Sequence, residues 1–196
     1  MQQLHSFFRF AQRALILAML IIQPPSNAIA LTIENVMFPD TISIGNRQIP
    51  LRGAALLRWL SIFKVYVAAL YLPEMEVPQN VPAEDIPKRL EISYLVSIDG
   101  PDSGKGAEAI LERNLSADDL ARLRTRIGKL NAVYRDVKPG DRYALSYLPG
   151  KGKELSYNGR PLITIEGDDF AAAYFAIWLG SDPNDRDMRD QLVKGA

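Results

Sequence analysis

The side chains that could carry chemistry in this chain are few in type. It has no cysteine, and its single histidine, His5, lies in a segment with the features of an export leader. The rest of the chain therefore lacks the base for Ser-His-Asp or Cys-His catalysis, and the usual ligands of zinc. An all-oxygen Mg²⁺ or Ca²⁺ site stays open in principle, but no D-x-D-x-D-G loop is present. We therefore expect neither a metal nor a cofactor, and look to Arg, Lys, Tyr, Asp, Glu, Ser and Thr.

The N-terminus has the three zones of a cleavable secretory signal. Two arginines precede the apolar run Ala14–Ile22, which ends at a Pro-Pro pair. This run is far shorter than the roughly twenty residues that span a bilayer, and Ala28-Ile29-Ala30 supplies a small-x-small cleavage site. We predict a signal peptide at residues 1–30, one mature domain at residues 31–196, no membrane span after cleavage, and a periplasmic or secreted location. An uncleaved N-terminal anchor is the alternative.

Cleavage would remove two of the 23 basic residues and none of the 23 acidic ones, leaving a net charge of about −2. A near-neutral chain has no electrostatic footprint for nucleic acid, so no nucleic-acid partner is expected. One helical stretch does have a basic face, formed by Arg122, Arg124, Arg126 and Lys129. That face could meet an anionic surface, although a solvated face is the more common explanation.

Periodicity and turn signals predict an α+β domain with a largely antiparallel sheet. The dipeptides at 45–46 and 158–159 indicate two-residue hairpins, and prolines between 73 and 87 indicate an exposed loop. The predicted strands are 31–38, 41–44, 47–51, 60–72, 90–98, 142–148, 154–157 and 161–165, and the predicted helices are 106–115, one opening at Ser116, 168–179 and 186–194. The helix at 168–179 is apolar on all sides, which predicts burial against the sheet.

Two segments together are distinctive. In the first, the Gly-containing stretch Arg52–Arg58 (RGAALLR) leads into Phe63–Leu72 (FKVYVAALYL). The second begins with LPGKG at Leu148–Gly152, continues through YNG and GDDF, and ends with FAIWLG at Phe175–Gly180. The chain resembles the chalcone isomerase-like family, in particular its short bacterial members with signal peptides, over about residues 36–192. The resemblance implies an open-faced β-sandwich, in which a broad antiparallel sheet has helices packed on one side and a ligand cleft between them.

The same resemblance implies two possible activities. Plant members close a chalcone into a flavanone, whereas other members bind fatty acids and have no known isomerase activity. In both branches an arginine from the Gly-rich turn faces the ligand, near a Thr of isomerases or a Tyr of fatty-acid binders on the next strand. Those positions are Arg58 and Tyr66. A guanidinium can hold a carboxylate by two parallel hydrogen bonds, and a phenol adds a third.

The neighbouring residues favour the acid binders. Tyr66 is the fatty-acid-binder residue, and strand alternation places Lys64 on the same face. Asn114 fits a helical Asn of the isomerases, but Ala107 stands where they carry a Tyr. The ligand-binding residues we predict are thus Arg58, Tyr66, Lys64 and Asn114, and Arg52 competes with Arg58 for the cleft-facing position.

Three hypotheses follow. The leading one is a non-catalytic periplasmic binder of a fatty acid or similar amphipathic anion, with no catalytic residue assigned. The second is an intramolecular lyase, an isomerase that closes a phenolic enone. The third is a scaffold whose cleft is filled by its own side chains.

Overall fold

The computed structural model describes residues 30–73 and 78–195, so the predicted signal peptide lies outside the described residues apart from Ala30. The strands are β1 (Ala30–Ile33), β2 (Val36–Pro39), β3 (Thr41–Ile44), β4 (Arg47–Trp59), β5 (Phe63–Tyr71), β6 (Lys88–Tyr94), β7 (Arg142–Leu148), β8 (Gly152–Tyr157) and β9 (Arg160–Ile165). The helices are α1 (Gly100–Asn114), α2 (Ala117–Asn131), α3 (Asp168–Leu179) and α4 (Arg186–Lys194), with a short 3-10 turn at Val81–Ala83.

Strands β3 to β9 form one antiparallel meander in chain order, and β1 and β2 form a separate hairpin. Alternation along β5 divides the core between the two faces of the sheet. Tyr66, Ala68 and Leu70 pack in the cluster that contains the helices, while Val67 and Ala69 pack with the β1–β2 hairpin. The predicted fold class, a broad antiparallel sheet with helices on one side, is confirmed.

Helix α3 is the central element of the helical layer. Seven of its side chains are buried, among them Phe170, Tyr174 and Phe175, which confirms the prediction from its all-round apolar sequence. Helix α2 begins at the predicted cap, where the Ser116 side chain accepts a hydrogen bond from the Asp119 amide at 3.1 Å. No helix within the described ranges is long and apolar enough to cross a bilayer.

The β4–β5 connection differs from the sequence-based expectation. The stretch Arg52–Arg58 is part of the continuous strand β4, and the chain turns instead at Leu60 and Ser61. The glycine of this stretch serves close packing, since a Cβ on Gly53 would lie 2.5 Å from the carbonyl oxygen of Gln191 in α4. A glycine within a strand can therefore mark the close approach of another backbone, here that of α4, rather than a turn.

Three further expectations also differ. The single strand predicted at 31–38 is instead the β1–β2 hairpin, which turns at Glu34 and Asn35. Helix α1 begins six residues earlier than predicted, at Gly100, because Pro101 suits the first turn of a helix. The proline-rich loop is partly buried: Val81 and Pro82 lie in the interior, where the fully buried Lys88 ammonium donates to both of their carbonyls at 3.0 and 3.1 Å. The Asn158-Gly159 hairpin is confirmed, with φ values of 48° and 76°.

Candidate functional site

A cavity of about 200 Å³ lies between the helix-bearing face of the sheet and helices α1 and α3. Most of its wall is apolar, including Ile92, Leu145 and Leu155 from the sheet and Ile110 and Ile177 from the helices. These side chains point inward because they alternate along their strands or repeat along their helices. The cavity is therefore a consequence of the layered fold rather than of one loop.

Four tyrosine rings form a connected row along this cavity. Tyr66 and Tyr94 are register partners on β5 and β6, with ring centroids 5.8 Å apart. Tyr143 of β7 stands edge-on to Tyr94 at 6.1 Å and to Tyr134 at 5.3 Å. Such edge-to-face arrangements add to the energy of burial, and they hold phenol groups at defined places in an otherwise apolar space.

The Tyr66 hydroxyl is the best-defined polar group of the cavity. It accepts hydrogen bonds from Trp178 Nε1 at 3.0 Å and from Asn184 Nδ2 at 3.4 Å. Within the described residues it donates to no acceptor, so its hydrogen is available to a ligand. Burial raises the pKa of Tyr66 to about 12, which keeps the phenol protonated at neutral pH. Tyr66 is thus suited to donate a hydrogen bond and unsuited to act as a base.

A second polar group on the wall is formed by Tyr94 and Ser103. Burial raises the pKa of Tyr94 well above its ordinary value. The Ser103 Oγ is buried and makes no hydrogen bond of good geometry among the described residues. A buried hydroxyl without a partner is costly, and a polar ligand atom in the cavity would relieve that cost.

Among the described residues, the cavity wall carries no positive charge. The one charged residue of that lining is Asp102, whose carboxylate contacts Lys105 at 2.9 Å. Arg58 instead lines an adjoining outer groove of about 560 Å³. The groove and the cavity share Ile98 and Asn184 as wall residues. An anionic group is therefore favoured at the groove and an apolar group in the cavity.

Arg58 lies at the end of β4 with about half of its side chain exposed, and its guanidinium is 4.0 Å from a Glu34 oxygen. Its predicted partner Tyr66 pairs with the preceding residue, Leu57, across the strands. The structure thus places Arg58 and Tyr66 at neighbouring positions of the sheet but in two adjacent spaces, the groove and the cavity.

Lys64 does not share the face of Tyr66, contrary to strict alternation. The pairing of β4 with β5 contains a bulge, since Leu57 pairs with Tyr66 but Arg58 pairs with Lys64. The extra residue, Val65, packs on the helix side of the sheet together with Tyr66. Lys64 consequently points to the opposite side and donates to Glu34 at 2.7 Å. A bulge of this kind re-aims side chains on one strand, and strand periodicity alone does not show it.

Two other predicted positions lie away from the cavity. The Asn114 amide donates to the Asp182 carbonyl at 2.9 Å, at the C-terminal end of α1. The Arg52 guanidinium donates to the Val193 carbonyl at 2.8 Å, near the end of α4. Neither Asn114 nor Arg52 contributes to the cavity wall. Of the two candidate arginines, Arg58 lines the adjoining groove, and Arg52 contacts the end of α4. Ala107, by contrast, does line the cavity.

Several wall residues escaped the sequence reasoning: Ser103, Tyr134, Tyr143, Trp178 and Asn184. Trp178 carried a signal, because it is one of two aromatic residues of the apolar helix α3, with Tyr174, whose polar group needs a partner. The others come from a helix, a strand and loops that are far apart in the chain, and no spacing connects them.

The fold and the cavity define a class of protein, a small domain in which an antiparallel sheet and a helical layer enclose a ligand-sized space. The family described as chalcone isomerase-like matches residues 30–193, and the chain belongs to this family. A solved structure of a fatty-acid binding protein from Arabidopsis thaliana is similar, with a TM-score of 0.65 and 12% sequence identity. The match covers 85% of this chain and 96% of that one. A search of curated proteins finds no significant match.

Proposed function

We propose that the domain binds a fatty acid or a similar amphipathic anion without transforming it. The observation that carries this proposal is the adjacency of two different spaces, which share Ile98 and Asn184 as wall residues. The cavity is apolar and offers the Tyr66 hydroxyl as a free donor, and the groove offers the Arg58 guanidinium. The acyl chain would lie in the cavity and the carboxylate where the two spaces meet, beside Asn184.

The dimensions support an elongated ligand. At about 200 Å³, the cavity is smaller than the roughly 300–1,000 Å³ of ordinary small-molecule pockets. A ligand longer than the cavity must extend into the groove, where Asp185 is also present. Asp185 accepts a hydrogen bond from the Met188 amide at 2.7 Å and is an acceptor only. Among the described residues that line the groove, Arg58 is therefore the one charged donor. The similar Arabidopsis thaliana structure is that of a fatty-acid binding protein, which supports the same class of ligand.

The side chains favour binding over catalysis. Ring closure of a phenolic enone needs an acid–base group near the reacting oxygen, and the raised pKa values of Tyr66 and Tyr94 keep both phenols protonated. Ala107 offers no hydroxyl at the position where isomerases carry a Tyr. The cavity of about 200 Å³ also makes the third hypothesis, a scaffold whose cleft is filled by its own side chains, less favoured. The leader predicted at residues 1–30 supports action in the periplasm or outside the cell.

Native mass spectrometry of protein purified without refolding tests the proposal. We expect co-purifying lipids, and a rise in melting temperature with added palmitate because ligand binding stabilises the folded state. Arg58→Gln should weaken palmitate binding several-fold, whereas Arg124→Gln, an exposed position on α2, should not. The proposal fails if no lipid co-purifies and fatty acids leave the melting temperature unchanged. Turnover of chalcones that depends on Arg58 would support the isomerase instead.

A further inference from the structure

The turn between β4 and β5 carries four large apolar side chains in solvent. Their exposed fractions are 63% for Trp59, 66% for Leu60, 73% for Ile62 and 56% for Phe63. We call the segment Trp59–Phe63 the β4–β5 tip. Exposed apolar residues are ordinary when scattered, but these four lie within five consecutive residues, and the Trp59 and Phe63 rings are in contact at 5.9 Å.

The backbone makes this composition more unusual. Leu60 and Ser61 have φ values of 51° and 61°, and the Ile62 amide donates to the Trp59 carbonyl at 3.2 Å. This is a β-turn inside a three-residue connection, since Trp59 pairs with Phe63, and the left-handed backbone at both of its central positions favours Asn and Gly. A leucine is disfavoured there by its Cβ, and no packing inside the fold compensates for it, because the side chain is exposed. Such an outlier points to a contact outside the domain.

Two exposed cations flank the tip. Arg58 and Lys64 are register partners, and each has nearly half of its side chain exposed. The strands that carry the tip add no carboxylate, since the sequence contains no Asp or Glu from Thr41 to Pro73. Two carboxylates lie nearby, because Glu34 contacts both cations and Asp185 lines the groove beside Arg58. Both carboxylates are less exposed than the two cations, so the charges that an approaching surface meets first are positive.

From this combination we propose that the β4–β5 tip inserts into the surface of an anionic lipid bilayer. Tryptophan is enriched at membrane–water interfaces, and apolar residues beside cations bind anionic lipid surfaces through burial and electrostatic attraction together. A protein partner is the less suitable occupant. A stable protein interface covers about 800 Å² on each side, and a three-residue connection projecting from a sheet does not offer such an area.

Docking in this way would place the ligand groove against the lipid. Arg58, Trp59, Leu60 and Phe63 belong to both the tip region and the groove wall. A lipid leaving the bilayer could therefore enter the groove without crossing water. The docking inference goes beyond the proposed ligand binding and rests on the tip alone.

Tryptophan fluorescence can test the docking directly. The chain has two tryptophans, of which Trp59 is exposed and Trp178 is partly buried, with its Nε1 donating to the Tyr66 hydroxyl. Added to vesicles of equal parts phosphatidylglycerol and phosphatidylcholine, the protein should show a blue shift of Trp59 emission and quenching by brominated acyl chains. Phosphatidylcholine vesicles alone should bind it more weakly. The apolar run Ala14–Ile22 has no tryptophan, so quenching does not report on that segment.

The double variant Leu60→Asn, Ile62→Ser separates docking from folding, because asparagine suits the left-handed backbone of the turn. We expect its partitioning onto these vesicles to fall by about tenfold or more, as burial of two aliphatic side chains is lost. Met37→Ser is the matched control, since Met37 is equally exposed at 62% on β2. It should partition as the unaltered protein does.

Three results would overturn the inference. The first is that the double variant partitions onto vesicles as the unaltered protein does. The second is that the double substitution Arg122→Gln, Arg124→Gln on α2 abolishes vesicle binding instead. The third is that the protein self-associates without vesicles and that the Leu60→Asn, Ile62→Ser variant abolishes this self-association. The single variant Ile62→Ser should also partition less onto the vesicles, and palmitate binding in solution should survive it, because Ile62 is not among the described residues that line the groove. The experiments thus distinguish a protein that binds palmitate but does not dock on vesicles from one that docks but does not bind palmitate.

Discussion

The Tyr66 hydroxyl accepts a hydrogen bond from Trp178 Nε1 across 3.0 Å, which joins β5 to the last turn of α3 at the cavity wall. This contact links the stability of the helical layer to the polar group that we assign to the ligand. It also fixes the direction of the phenol oxygen, since Asn184 approaches the same atom.

Tyr66→Phe should therefore reduce both stability and affinity. The partly buried Trp178 N–H would lose its acceptor, at a cost of about 1 kcal/mol in the free energy of unfolding, and the ligand would lose a donor. Urea denaturation and palmitate titration measure the two effects. Tyr157→Phe is the control, because the Tyr157 hydroxyl bonds Asp141 at 2.9 Å outside the cavity. It should lower stability without changing affinity, and an unchanged affinity in Tyr66→Phe would remove Tyr66 from the site.

Filling the cavity should block the acyl chain. Ala107 of α1 lines the cavity, so Ala107→Leu places additional carbons in the space that the ligand needs. We expect palmitate affinity to fall by about tenfold, which corresponds to roughly two methylenes left unburied. Ala109→Leu, on the exposed side of the same helix, should bind palmitate as before. Equal affinities for the two variants would place the ligand elsewhere.

Lys153 provides a test of stability against pH. Its side chain is fully buried, its Nζ has no hydrogen-bonding partner among the described residues, and it lies 3.3 Å from the centre of the Tyr174 ring. Burial lowers the pKa of Lys153 well below its ordinary value in the folded state. Between that lowered pKa and about 10.4, the unfolded chain binds more protons, so stability should rise with pH across this window.

Lys153→Met should consequently stabilise the protein at neutral pH, by about 1–3 kcal/mol, and reduce this rise. Lys88→Met is the matched comparison, because the equally buried Lys88 ammonium donates to three carbonyls of the 78–87 loop. Burial lowers the pKa of Lys88 to about 8, but its removal leaves those carbonyls without a donor. We expect Lys88→Met to be less stable in urea at neutral pH. A destabilised Lys153→Met would contradict the assignment of an unpaired buried amine.

Gly53 should tolerate no side chain. A Cβ there would lie 2.5 Å and 2.7 Å from two carbonyl oxygens of α4, so Gly53→Ala should lower the free energy of unfolding by about 1–3 kcal/mol. Gly128→Ala is the opposite case. It lies within α2 with no atom in the way of a Cβ, and it should gain about 0.5–1 kcal/mol from helix propensity. If both variants were equally stable, α4 would not be packed on β4 as described.

Much of the architecture was predictable because it follows from local rules. The hairpin at Asn158-Gly159, the cap at Ser116 and the buried α3 each depend on residues within a few positions of one another. The sheet order followed as well, since a meander pairs strands that are neighbours in the chain. Two boundaries were wrong. At Arg52–Arg58 the strand continues because helix α4, from the far end of the chain, packs on Gly53. At Gly100 the helix begins in a stretch without hydrophobic periodicity.

The site divides in the same way. By itself, the sequence determined which side-chain types a site could contain. It has no cysteine and a histidine only at position 5, so the polar groups open to a site are phenols, hydroxyls, amides, carboxylates and the cations of Lys and Arg. The tertiary structure alone decided where those groups point. One bulge at Val65 turns Lys64 away from Tyr66, and the cavity collects Ser103, Tyr143 and Trp178 from three separate elements. Periodicity describes one strand or helix at a time, whereas a cavity is formed by the packing of several.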